Sequence, residues 1–266
     1  MRIADKMPRL VISATLAIVS LTFTARLAVA DQMHGVFSTH CAVSKIDRID
    51  PIVDPGMKMS AHLHQFFANR SVNKDSTYRS MRKGSTTCTF KPDTAGYWTP
   101  MLVSPAGHKV RPQGVNAYYR SVGVLARQHV RAFPANLRMI SHRYFFSCGD
   151  TGTGTPKPRD CGSKTVHVSV VFPACWDGAH TDSRDHMSHM AFQTGRGCPR
   201  SHPVAVPRLV LIVRYPRLHD GTGYTLTSGR ATSMHADFWN TWKQLTLRHL
   251  VRRCLNQDQV CGDMGH

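Results

Sequence analysis

The chain has 266 residues, with 34 Lys or Arg against 16 acidic residues and a formal net charge of +18. Every acid is an aspartate, so any carboxylate chemistry falls to Asp, and glutamate-based zinc-hydrolase helices and Glu/Glu glycosidase pairs are excluded. So basic a surface associates with polyanions such as anionic headgroups, acidic wall polymers, uronic-acid polysaccharides or extracellular nucleic acid, yet no Lys/Arg run or nucleic-acid motif sharpens it into a specific groove.

Arg2, Lys6 and Arg9 precede an apolar run, Leu10 to Phe23, that ends at Ala28-Val29-Ala30. This pattern predicts a cleavable export signal over residues 1–30 and a secreted chain starting near Asp31. The run is shorter than the ~20 residues of a membrane span, and no later stretch is long enough, so no stable span is expected. An uncleaved anchor is the alternative that Arg26, close to the cut, leaves open. Residues 31–266 contain no linker or repeat and read as a single domain.

All eight cysteines, Cys41, Cys88, Cys148, Cys161, Cys175, Cys198, Cys254 and Cys261, lie after the leader. An even count in an exported chain predicts disulfides. Of about 105 pairings, the simplest is sequential: Cys41–Cys88, Cys148–Cys161, Cys175–Cys198 and Cys254–Cys261. No Cys-x-x-Cys spacing supports a zinc-thiolate site.

Asp50-Pro51 and Asp54-Pro55-Gly56 force extended or turn geometry, the second as a tight turn. Ser60 to Asn69 reads as a strand, which would point His62 and His64 to one face. Ser76 to Lys83 reads as a short helix with a serine cap and Gly84 as its stop, carrying Arg79 and Arg82 on a basic face. Tyr97 to Val103, Val115 to Arg120 and Leu137 to Ile140 read as strands. The glycine-rich run Gly149 to Pro156 lacks the Gly-Lys-Ser/Thr ending of a phosphate loop and is expected to be a disulfide-bounded connector.

Val166 to Phe172 and Arg208 to Tyr215 are the clearest strands, and the near-continuous apolar character of the second predicts a central position. Between them, Phe172 to Phe192 gathers Cys175, Trp176, Asp177, Asp182, Asp185, His186 and His189 into a turn-rich segment of the kind that forms one wall of a site. If Asp185 to Met190 makes a helical turn, His186 and His189 share a face. From about Asp237 to Leu255 the spacing of Phe238, Trp242, Leu245, Leu250 and Val251 predicts a carboxy-terminal helix with Asp237 at its amino end.

The candidate catalytic residues are therefore His62, His64, Asp177, His189, His235 and Asp237, since His works as acid or base near neutral pH and Asp as its partner or as nucleophile. Trp98, Trp176, His186 and Arg79 are candidate substrate-binding residues, the indoles as sugar-stacking surfaces. The same imidazoles could hold zinc or copper. The plain alternative is that these side chains bond one another and cap turns.

The words Asp50-Pro-Ile-Val-Asp-Pro-Gly, Ser60-Ala-His-Leu-His-Gln-Phe, Tyr97-Trp-Thr-Pro, Phe172-Pro-Ala-Cys-Trp-Asp-Gly, His186-Met-Ser-His-Met-Ala and His235-Ala-Asp-Phe-Trp-Asn occur in order along nearly all of the chain after the leader. In them the chain resembles the secreted family catalogued as domain of unknown function number nineteen ninety-six. The resemblance implies an exported, cysteine-stapled domain of fungi and bacteria, in fungi often accompanied by carbohydrate-binding modules. It also implies that His62, His64, Asp177, His186, His189, His235 and Asp237 fall on recurring motif positions. The chain departs at Ala68 and Phe192, where the family leads one to expect glycine and tyrosine.

The expected fold is mainly β, a single disulfide-stapled β-sandwich-like domain with long loops and a carboxy-terminal helix. The expected function is action on, or binding of, an extracellular or cell-wall polysaccharide as hydrolase or lyase through a His/Asp-lined cleft. The alternatives are a zinc- or copper-binding secreted protein and a non-catalytic glycan-binding module. A nuclease rests on charge alone, and serine or thiol catalysis lacks its motif or its free cysteine.

Overall fold

The structure is a computed structural model and describes residues 35–263 other than 122, 124, 126–128, 151 and 152. The leader expected over residues 1–30 lies outside the described residues. The fold is mainly β, as the alternation of branched and aromatic residues predicts. A six-stranded sheet runs β17 (Val260–Asp263), β1 (Val36–Cys41), β7 (Gly114–Arg120), β14 (Arg208–Tyr215), β10 (Val166–Val171), β9 (Tyr144–Cys148). A five-stranded sheet runs β2 (Val43–Asp47), β3 (His64–Ala68), β4 (Gly96–Pro100), β16 (Ala236–Trp239), β8 (Arg138–Ser141). Two small three-stranded sheets, β12 (Met190–Ala191), β11 (Cys175–Trp176), β13 (Val204–Ala205) and β15 (Thr225–Leu226), β5 (Leu102–Val103), β6 (Lys109–Val110), attach to them. The apolar strand β14 is interior, as expected, with β7 on one side and β10 on the other.

The main core joins inward residues of both large sheets, Phe37, Tyr119, Val168 and Leu211 from one and Phe67, Tyr97, Met139 and Phe238 from the other. Each such side chain contributes about 1.5–3 kcal/mol on burial. The core also encloses a polar chain. Tyr97 donates to the Asp93 carboxylate at 2.8 Å, the Tyr97 and Tyr119 hydroxyls meet at 2.6 Å, and the Trp242 indole N–H donates to Tyr119 at 2.8 Å. Burial pushes the Asp93 carboxyl up to about 7 despite the bonds from Tyr97 and the Ala95 amide.

The outer face of the five-stranded sheet has a second cluster, Phe66, Trp98, Ile140 and Trp239, covered by Ile49, Ile52, Val72 and Met81 from the long connection that precedes and follows β3. That connection contains helix α1 (Tyr78–Lys83). Its cap is Thr77, in a capping box with Ser80, and the expected Ser76 instead accepts from the Asn73 amide. Gly84 closes the helix with φ of −68°, so the stop needs no left-handed backbone. Asp54 to Met57 does form the expected turn, with Gly56 at φ +80°. Ala68, at the position where glycine is expected, ends β3 at φ +64°, a region glycine enters freely.

All four disulfides pair sequentially, as expected. The carboxy-terminal helix is shorter than its periodicity suggests. Helix α2 covers Gln244–Leu250 and continues as a π-helical turn over Val251–Leu255, while Asp237 and Phe238 belong to strand β16. Both faces of that strand are buried, Phe238 inward and Trp239 outward, so its alternation is masked by apolar residues and resembles a helical spacing. Asn240 then donates to the Phe133 and Pro134 carbonyls, and these bonds hold the chain in the bend between strand and helix.

Candidate functional site

Strand register assembles the site. Phe66 pairs with Trp98, Trp98 with Asp237, and Asp237 with Ile140, which forms one row across the outer face of the five-stranded sheet. His64 pairs with Pro100, and the same register carried one step further sets His235 level with Pro100 and His142. Side chains two apart on a strand share a face. His64 above Phe66 and His235 above Asp237 therefore rise on the same side, and His62 follows from the residues leading into β3.

The loop carrying His62 is pinned. The Arg48 guanidinium donates to the Ser60 and Ala61 carbonyls at 2.9 and 2.7 Å, and the Ser60 hydroxyl donates to the His62 carbonyl at 2.8 Å. The Asp50 carboxylate accepts from the Ile52 and Val53 amides, which folds the neighbouring loop over the sheet.

The result is a small pocket of about 170 Å³ lined by His62, His64, His142, His235, Asp50 and Asp237 among others. One ligand nitrogen from each of His62, His64 and His235 lies within 4.8 Å of the other two. The Nε2 atoms of His62 and His235 are 3.2 Å apart. Nδ1 of His64 faces the Ile49 carbonyl at 3.0 Å and Nδ1 of His235 the Ser233 carbonyl at 2.9 Å. A carbonyl only accepts, so in each neutral ring the proton sits on Nδ1 and the Nε2 lone pair faces the pocket. Nε2 of His64 has no hydrogen-bond partner, and the Asp50 carboxylate stands 3.9 Å away.

Asp237 is fully buried, and neither of its oxygens has a hydrogen-bond partner. Burial, and then the charge of Asp50, raise its pKa well above the usual carboxylate range. Burial also raises that of Asp50. The imidazoles move the other way. Burial, with the neighbouring His62 and His235, holds His64 well below its ordinary value, and burial pushes His235 down to about 4. His62 is lowered by burial and by the charge of Arg48. The pocket thus disfavours extra protons on its rings and negative charge on its carboxyls.

Of the residues singled out in the sequence, the fold brings together His62, His64, His235 and Asp237. Asp177 and His189 do not line this pocket. The Asp177 carboxylate accepts from the Ala179 and His180 amides and from the His180 ring, which closes a turn. His189 is buried between the Ser183 hydroxyl and the Arg138 carbonyl. His186 adopts φ +55° and bonds the Asp182 carboxylate, so the 185–190 segment is a series of turns and not the helical turn expected.

Trp98 is completely buried beneath the pocket and has no face to offer a sugar. Trp176 lies 9% exposed on the wall of a different cleft, its indole N–H donating to the His180 carbonyl. Arg79 lies on α1 in a surface patch with Tyr78, Arg82 and Lys83. The pocket also contains two residues the sequence reading did not assign to it. Asp50 appeared only as a turn former before proline, and His142 carries no local signal, because only the pairing of β8 with β16 sets it beside His235. Their rings are 5.5 Å apart. His142 and Ile140 also border a second, mostly apolar hollow formed with Arg143, Met187, Met190 and Phe192, and the Arg143 guanidinium lies over the Phe192 ring.

Residues 50–242 match the family model described as Domain of unknown function (DUF1996). No curated protein and no solved structure matches the chain.

Proposed function

This chain belongs to the DUF1996 family, whose description defines no activity, and from its pocket we propose that it is a secreted protein in which His62, His64 and His235 bind one divalent transition metal, zinc or copper. The centre acts on an extracellular or cell-wall polysaccharide as a hydrolase or lyase. The observation that carries the metal reading is the convergence of three imidazoles, two of which, His64 and His235, have Nδ1 bonded to a backbone carbonyl. Such bonds to the far ring nitrogen fix the tautomer and orient ligating histidines. Two nitrogens bound at 2.0–2.1 Å in tetrahedral geometry stand roughly 3.3 Å apart, close to the 3.2 Å between His62 and His235. Three imidazoles leave a coordination position open, as catalytic centres require.

A cation also accounts for the carboxyls. A bound positive charge lowers the pKa of Asp237 and Asp50 and keeps the imidazoles neutral, so groups that oppose one another without it become mutually supporting. Asp237, one oxygen of which lies within 4.8 Å of a His64 ring nitrogen, would then accept a proton from a water or substrate hydroxyl. The polysaccharide reading rests on the basic charge and on Arg48 beside His62, a positive group of the kind a lyase sets against a uronate carboxylate. Four disulfides fit an oxidising compartment, and no helix among the described residues is long and apolar enough to cross a membrane.

The test is metal analysis of protein purified without a nickel column and equilibrated with zinc and copper. About one equivalent, released by His235→Asn, is expected, and less than roughly a tenth ends the proposal. Turnover of a panel of neutral and acidic polysaccharides, with and without chelator, then tests the reaction. A metal-loaded protein inert on every glycan would keep the centre and remove the activity.

A further inference from the structure

A second cleft, of about 500 Å³, shares no lining residue with the histidine pocket. One side is the 129–135 segment and the other is α2 with its π-helical turn. The walls are held by hydrogen bonds. The Asn256 side chain accepts from the Val130 amide and donates to the Val130 carbonyl, both at 2.9 Å, and the Arg131 amide donates to the Ala205 carbonyl at 2.8 Å. The cleft therefore exists before any ligand arrives, and its volume lies in the range of small-ligand sites.

Its charged lining has one sign. Arg131, Arg248, Arg252 and His129 border it, and no aspartate does. Arg252 at the end of the helical segment is favoured by the exposed carbonyls there, but Arg131 comes from a separate segment and has no such reason to face the same hollow. No ion pair is formed by Arg131, Arg248 or Arg252 among the described residues. The Gln244 side-chain amide nitrogen, also on the wall, is buried without an acceptor. Trp176 supplies an apolar surface opposite.

We propose that this cleft binds a uronate-bearing saccharide, its carboxylates taken by Arg131, Arg248 and Arg252 and a sugar hydroxyl accepting from Gln244. Guanidinium forks match planar carboxylates in two parallel hydrogen bonds, and the apolar wall suits the C–H face of a sugar ring. A polymer held here is retained by the protein whether or not the histidine pocket turns it over.

The test is calorimetric titration of the purified protein with a short oligogalacturonate at about 0.15 M salt, where long-range attraction is screened, in the presence of EDTA so that the result is independent of the metal reading. Binding should shift the emission of Trp176, since Trp98, Trp239 and Trp242 are 0–1% exposed. Arg248→Ser with Arg252→Ser should weaken binding about tenfold or more, because two charge-assisted bonds are lost. Lys109→Ser with Arg111→Ser removes the same charge from positions that line none of the described clefts and should weaken it by less than about twofold. The methyl-esterified oligomer should not bind. Equal losses in the two double variants would reduce the effect to net charge and overturn the proposal. Binding of phosphatidylglycerol vesicles through Arg248 and Arg252, with none of oligogalacturonate, would overturn it in favour of a lipid surface.

Discussion

Replacing His235 by asparagine separates what the pocket does for the fold from what it does for a metal. Asparagine sets an amide N–H where Nδ1 stood, so the bond to the Ser233 carbonyl survives, and it leaves nothing in the place of Nε2. In the wild type burial pushes the His235 pKa from 6.5 down to about 4, with the charges of His62 and His142 adding to it and the Ser233 bond opposing it. Between those values the unfolded chain takes up a proton that the folded protein refuses. Stability therefore falls as pH drops through that window, by ~1.36 kcal/mol per pH unit and by ~3 kcal/mol in all near pH 4. His235→Asn removes this term. Urea unfolding of the metal-free proteins should show the variant gaining about 3 kcal/mol on the wild type between pH 7 and pH 4, while zinc titration at pH 7 shows affinity lower by about 100-fold or more. A variant with wild-type acid sensitivity and undiminished metal affinity would refute both the burial argument and the ligand assignment.

Asp237→Asn is expected to leave the metal-free fold as stable as before or more so, because a buried carboxyl without partners is replaced by a neutral isostere, yet to weaken metal binding by about 10–100-fold; paired denaturation and metal titration check the opposite signs. Asp93 carries the reverse pH dependence. Its folded pKa is raised from 3.8 to about 7, so the stabilisation is complete below pH 3.8 and is lost as pH rises to 7, roughly 4 kcal/mol in all. The difference in unfolding free energy between Asp93→Asn and wild type should climb by that amount from pH 4 to 7, and a flat difference curve would count against it. Removing the Cys41–Cys88 disulfide, which closes a separation of 47 residues, should lower stability by about 4 kcal/mol on the loop-entropy model, read as a fall in the denaturation midpoint.

Several parts of this protein follow from local rules and are legible along the chain. The four sequential disulfides, the central position of β14 and the Asp54–Gly56 turn depend on spacing of a few residues, on the branched content of a short run, or on a cysteine count, whereas His62 precedes β3 and reaches His64 through a loop held by Arg48. The absence of glutamate limits the chemistry to imidazole and aspartate before any fold is known. Other parts depend on which strands lie side by side. His62 and His235 touch across 173 residues of sequence, Asp50 and His142 enter the pocket through loop closure and the β8–β16 register, and Trp98, a sugar platform by residue type, is buried because the connections around β3 lay Ile49, Ile52, Val72 and Met81 over its face of the sheet. Spacing within a segment says which side chains share a face of that segment. Only the pairing of distant segments decides which faces meet, because that choice is made by burial over the whole chain.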